Sequence, residues 1–140
     1  MTISIGPTNT AEDHRGGGPQ ILLISPDLLS TSRLAGLARG IGGRLETLRS
    51  LDDAPPDGCY DLVLVDLQAV SGDPAVIVAR VRSIIESHAG RTGKTPSLVA
   101  FGPHVAKNRL DEAQAAGADA AVSRGELLGG FPAIVSRWCR

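Results

Sequence analysis

The sequence predicts a single α/β domain: a mostly parallel sheet with helices packed on both faces. Three observations carry this expectation. The apolar residues are aliphatic, with aromatics only 3% of the chain, which suits buried parallel strands better than a β-sandwich. Short continuous apolar runs alternate with segments of helical periodicity, the order expected of strand–helix units joined by right-handed crossovers. At 140 residues the chain is long enough for one core and too short for two.

The elements follow in order. Met1 to Gly18 is rich in Thr, Ser, Asn and Gly and closes on Gly16-Gly17-Gly18-Pro19. It holds too little apolar surface to offset its ordering entropy, so residues 1–19 are expected to form a flexible tail and residues 20–140 the folded domain. Ile21-Leu22-Leu23-Ile24, closed by Ser25-Pro26-Asp27, reads as a buried strand. Leu34, Leu37, Ala38 and Ile41 recur at helical spacing, and Gly40, Gly42 and Gly43 supply the stop. Leu45 to Arg49 is short and charged, as befits an edge strand.

Leu62-Val63-Leu64-Val65 is the strongest strand signal. Asp73 then offers an N-cap and Pro74 a first helical residue, behind which Ile77, Val81, Ile84, Ile85 and His88 share one helix face. Leu98 to Phe101 is a fourth strand, followed by an Ala-rich helix ending near Gly117. Ala120-Ala121-Val122 is a weak fifth strand, and Phe131-Pro132 opens a final helix to Arg140. One unit is irregular. Only Leu51 to Cys59, with Pro55 and Pro56, joins the second strand to the third, so the second helix is expected to be shortened or missing. About nine extended residues span roughly 30 Å and can still make the crossover.

Composition excludes several classes of function. The net charge is −1 and Lys and Arg are scattered, which argues against nucleic acid or an anionic membrane as partner. Cys59 and Cys139 lie far apart without metal-ligand spacing and read as ordinary thiols. No basic region followed by an apolar run opens the chain, and no run reaches bilayer length, so a soluble cytoplasmic protein is expected. Gly90 to Thr95 ends like a phosphate-binding loop but precedes a strand, and its first glycine position is His88. Gly40 to Gly43 is a helix stop and not a dinucleotide fingerprint.

In an open parallel sheet, reactive groups collect at the carboxyl ends of the strands. That edge carries Ser25, Pro26 and Asp27, then Asp66, then Phe101 and Gly102, then Ser123 and Arg124. Asp66 closes the central apolar run, where a carboxylate is costly to bury without partners.

Tyr60-Asp61-Leu62-Val63-Leu64-Val65-Asp66-Leu67 and Ala115-Ala116-Gly117-Ala118-Asp119-Ala120-Ala121-Val122 resemble two stretches of response-regulator receiver domains, the CheY-like superfamily. The resemblance covers about Gln20 to Arg140. It implies a flavodoxin-like, five-stranded sheet in the order 2-1-3-4-5, with Asp66 at the phosphoacceptor position. It also implies a degenerate site. Where receivers carry two adjacent acids that help hold Mg²⁺, this chain has Ser25 and Pro26, with Asp27 one position late. Phe101 stands for the usual Thr or Ser, Arg124-Gly125 for Lys-Pro, and Ala121 for the switch aromatic.

Mg²⁺ demands oxygen ligands in near-octahedral geometry, and a serine and a proline do not replace two carboxylates. A guanidinium keeps the charge of the missing lysine but not its shape. The expected function is therefore that of a pseudo-receiver: a protein-interaction module in signal transduction, without catalysis, cofactor or metal. Asp66 is expected to pair with Arg124, the alternative being a solvated strand-end carboxylate. Phe101 is expected to fill the gap left by Ala121 and so abolish a two-position switch. The partner surface implied is the face of the fourth helix, fifth strand and fifth helix, here Val105 to Ala116, Ala120 to Arg124 and Phe131 to Arg140, with a homodimer also possible. Trp138 is read as an anchor of the last helix. Two other functions stand beside this one: an atypical phosphoacceptor at Asp66 using Asp27 and Arg124, and a small-molecule site around Gly102, Pro103 and His104.

Overall fold

In the computed structural model, residues 18–139 are described. The expected tail falls outside them except for Gly18 and Pro19, and these two are held. Gly18 N–H donates to Gly42 O at 2.7 Å, and Pro19 O accepts from Arg44 N at 2.9 Å. Backbone pairing thus starts two residues earlier than composition suggested, because the incoming chain lies against the start of the second strand.

The elements are β1 (Gln20–Ile24), α1 (Leu28–Gly40), β2 (Arg44–Leu48), β3 (Leu62–Asp66), α2 (Pro74–Thr92), β4 (Ser97–Gly102), α3 (Lys107–Ala115), β5 (Ala120–Ser123), α4 (Arg124–Gly129) and α5 (Phe131–Trp138). A 3₁₀ turn, His104–Ala106, leads into α3. The strands form one five-stranded sheet in the order β2-β1-β3-β4-β5, with every pair parallel. No helix lies between β2 and β3; residues 49–61 cross in turns and extended chain, as the two prolines and the shortness of the link require.

Alternation along the strands divides the core in two. Leu22, Ile24, Val63, Val65, Leu98 and Ala100 meet the buried face of α2 and α3. Ile21, Leu23, Leu62, Leu64, Val99 and Phe101 meet α1, α4 and α5. The face of α2 is as its spacing predicts: Ile77, Val81, Ile85 and His88 are buried, joined by Val78, while Ile84 is only partly covered. Trp138 packs partly buried against the second cluster, as an anchor for α5.

The caps explain where the helices begin. Asp27 accepts from Leu29 N and Ser30 N, and Asp73 accepts from Ala75 N with Pro74 as the first helical residue. α4 was not anticipated from the sequence. Its signal is a capping box, Ser123 with Glu126: Glu126 N donates to the Ser123 hydroxyl at 3.1 Å, and Ser123 N donates to the Glu126 carboxylate at 2.8 Å. The final helix is accordingly shorter than the stretch from Phe131 to Arg140, ending at Trp138. Among the described residues, no helix is long and apolar enough to cross a membrane.

Candidate functional site

The parallel register brings the candidate residues to one edge. Asp66 is the last residue of β3 and sits beside Phe101 of β4, which sits beside Val122 of β5. Arg124 begins α4 immediately after β5. To reach Asp66 it must pass over the end of β4, about two strand spacings of 4.8 Å. The long side chain spans that gap across the face of Phe101, its guanidinium carbon 5.3 Å from the ring centroid.

Asp66 is 0% exposed and has a partner for each oxygen. Oδ1 accepts from Gln68 N at 3.1 Å and Ala69 N at 3.2 Å, the turn that follows β3. Oδ2 accepts from the Ser25 hydroxyl at 3.0 Å. Arg124 Nη2 lies 3.3 Å from both oxygens. The expected Asp66–Arg124 pair is therefore present, and the solvated strand-end alternative is not.

The pair is embedded in a wider network. Arg124 Nη1 donates to the Ser30 hydroxyl at 2.6 Å and Nη2 to the Gln68 side-chain oxygen at 3.3 Å. Ser30 in turn donates to Asp27 at 2.6 Å, and Asp27 N donates back to Ser25 Oγ at 3.1 Å. The Ser30 hydroxyl, chiefly, with the backbone N–H groups of Ser30 and Leu29, holds the Asp27 carboxyl below its ordinary range. Ser25 is fully buried, while Pro26 is exposed at the bend.

This donor set does not fit a divalent cation. Asp66 already has a cation against it, Ser25 directs its proton toward Asp66, Pro26 has no side-chain ligand, and the Asp27 carboxylate is occupied capping α1. Among the described residues no group of three or more His, Cys, Asp or Glu side chains is placed to hold a metal ion. A cleft of about 480 Å³ lies above the pair, lined by Leu29, Arg33, Gln68 and Ala69 together with Asp27, Ser30 and Arg124.

Two expectations about neighbouring residues change. β4 runs one residue past Phe101, so its end is Gly102, which has no hydroxyl either. Phe101 is a fully buried core residue beneath Arg124, not a ring occupying the site. Nor does it fill a gap left by Ala121. Ala121 is registered with Ala100 and packs toward α2 and α3, whereas Phe101 and its neighbour Val122 face α1, α4 and α5. The reason is the two-residue period of a strand: adjacent rows point to opposite faces.

Pro103 precedes the 3₁₀ turn that His104 opens, and His104 is exposed. Lys94, from the discounted Gly-Lys-Thr stretch, forms an ion pair with Asp61 at the start of β3.

No protein-family model and no curated relative matches the chain. Solved structures do. The chain is similar to a two-component response regulator from Clostridium difficile, at 18% identity over 86% of this chain and 94% of that one, with a TM-score of 0.67. It is similar to the Saccharomyces cerevisiae complex of the phosphotransfer protein Ypd1 with the receiver domain of Ssk1, at 13% identity over 88% and 90%, TM-score 0.67. A third is the receiver domain of the sensor kinase PA1611 from Pseudomonas aeruginosa, with magnesium in its active-site cleft, at 15% identity over 86% and 97%, TM-score 0.62. The chain has the CheY-like receiver fold.

Proposed function

We propose that this domain is a pseudo-receiver, a signalling module that works by binding a protein partner and not by Mg²⁺-dependent phosphorylation of Asp66. The observation that carries the reading is the Asp66–Arg124 pair: a buried carboxylate whose charge is balanced within the chain. Phosphoryl transfer to a carboxylate needs a free oxygen in line with the donor, and charge neutralisation at the moving phosphoryl group. Here Arg124 and three other donors engage the two oxygens, and the nearby Asp27 carboxylate is taken up in capping α1. With alanine at position 121, β5 has no ring to swing between two positions.

Receiver domains of this fold bind proteins, as the complex of Ypd1 with Ssk1 illustrates. For this chain the proposed surface is the one expected from the resemblance, formed by Val105–Ala116, β5 and α5. Val105 stands out of it as an exposed apolar side chain. The domain's effect passes through a partner or a second copy.

The test is incubation with a small-molecule phosphodonor and Mg²⁺, read by intact-mass spectrometry, beside Asp66→Asn. The proposal expects no phosphorylated species in either. A single added phosphoryl group present in the wild type and absent from Asp66→Asn would instead establish an atypical phosphoacceptor.

A further inference from the structure

The segment that replaces the missing helix between β2 and β3 is tied down at Asp52, which pairs with exposed Arg80 at 2.8 Å, at Leu51 and Tyr60, which pack on the core, and at Gly58, which meets one buried histidine. His88 lies in the penultimate turn of α2 and is 5% exposed. Its Nε2 contacts the Gly58 carbonyl, and Arg91 Nη2 lies 3.2 Å from its Nδ1. These partners leave one protonation state. A guanidinium only donates, so Nδ1 must accept and carry no proton; a carbonyl only accepts, so Nε2 must carry the proton. The ring is therefore neutral and fixed in its Nε2–H tautomer.

The contact is specific to this segment. Gly58 has φ 133°, a conformation side chains rarely adopt, so the direction of its carbonyl depends on glycine. The neighbouring Tyr60 ring sits 5.3 Å from the imidazole, centroid to centroid, and its hydroxyl donates to Pro56 O at 2.7 Å. The surroundings of His88 are otherwise apolar: Leu22 from β1, Val63 from β3, Ile84 and Ile85 from α2, with Pro55 and Pro96. The charged and titratable groups facing it are Arg91 from its own helix and Tyr60 from the segment. Asp57 and Cys59 flank Gly58 and are exposed.

We propose that residues 51–60 form a pH-sensitive flap with neutral His88 as its latch. A proton taken from solvent onto Nδ1 turns an acceptor into a donor aimed at the Arg91 donor, and leaves a buried cation with the Gly58 carbonyl as its one acceptor. The charged ring regains hydration only by leaving its pocket, and the Gly58 bond goes with it. Residues 57–61 also form one wall of a groove of about 990 Å³ at the amino ends of β1 and β3, so release reshapes that groove.

The experiment is ¹⁵N NMR of the full chain between about pH 7.5 and about pH 5. At the higher pH the expected result is an Nε2–H tautomer at His88. On acidification the amide resonances of residues 51–60 should broaden or move while those of β4 and β5 hold. His88→Gln, whose amide can donate to Gly58 O without titrating, should keep the segment closed at both values. An Nδ1–H tautomer in the wild type would overturn the proposal, and that reading needs no variant to fold. So would acid-induced change confined to Arg91 with residues 51–60 unmoved, or an unaltered pH response in His88→Gln.

Discussion

Removing Arg124 leaves Asp66 buried with hydrogen bonds but without a countercharge, and the size of the penalty follows from where the two groups sit. Deleting one partner of a fully buried ion pair costs about 3–5 kcal/mol, whereas exposed pairs contribute about 0.2–1 kcal/mol. Asp66 is 0% exposed but the Arg124 side chain is 28% exposed, so water can reach one end of the pair. Ser25, Gln68 and Ala69 still donate to the carboxylate after the change. The expected loss for Arg124→Ala is therefore intermediate, roughly 1.5–3 kcal/mol, or a melting temperature lower by roughly 3–10 °C for a chain of this size. That single value also contains the loss of the Phe101 and Ser30 contacts. A double-mutant cycle with Asp66→Asn removes them, because they are lost in the presence and absence of the charge alike. Measured by urea unfolding, the coupling energy should exceed about 1 kcal/mol. Additivity within about 0.5 kcal/mol would refute the claim that the pair acts as a unit.

Two further predictions concern ionisation. The Asp27 carboxyl is held below its ordinary range mainly by the Ser30 hydroxyl, and the Glu126 carboxyl mainly by the Ser123 backbone N–H. A folded-state value below the unfolded one means that each cap's contribution is complete above the ordinary carboxylate range and fades as pH falls through the lowered value. Stability measured from about pH 6 to about pH 2 should thus fall more steeply in the wild type than in an Asp27→Asn/Glu126→Gln variant; equal slopes would contradict the assignment. Burial, chiefly, and the nearby Asp61 carboxylate push the Cys139 thiol up to about 11, so it is almost wholly protonated at neutral pH. Exposed Cys59 should therefore alkylate first under mild iodoacetamide treatment, and equal labelling of the two would count against the packing of α5.

The sheet was readable because β1, β3 and β4 are continuous apolar runs and the longest helix carries both a cap and a face. Asp73-Pro74 and the period from Ile77 to His88 leave little freedom. α4 was missed because Ser123-Arg124-Gly125-Glu126 carries its signal in one reciprocal pair of hydrogen bonds, in a six-residue helix with a glycine at its second position. At the site, the Asp66–Arg124 pairing was expected from the receiver resemblance, which implies that Asp66 and Arg124 share a site that has lost its metal-holding acids. The rest of the network was not: Ser30 and Gln68 are ordinary helix and turn residues until the fold sets them against Arg124. The relation of Phe101 to Ala121 was misjudged for a different reason. Their faces depend on inter-strand register, and a shift of one residue moves a side chain to the other side of the sheet.

The account rests on Arg124 holding the place where a metal and a phosphoryl group would act. The most direct measurement is an NMR titration of the wild-type chain with Mg²⁺, then with beryllofluoride, following Asp66, Gln68, Gly102 and Arg124. The prediction is that neither addition shifts these resonances beyond the uniform drift of ionic strength. Saturable shifts at Asp66 with Mg²⁺, extended to β5 by beryllofluoride, would contradict it and restore a working phosphoacceptor site.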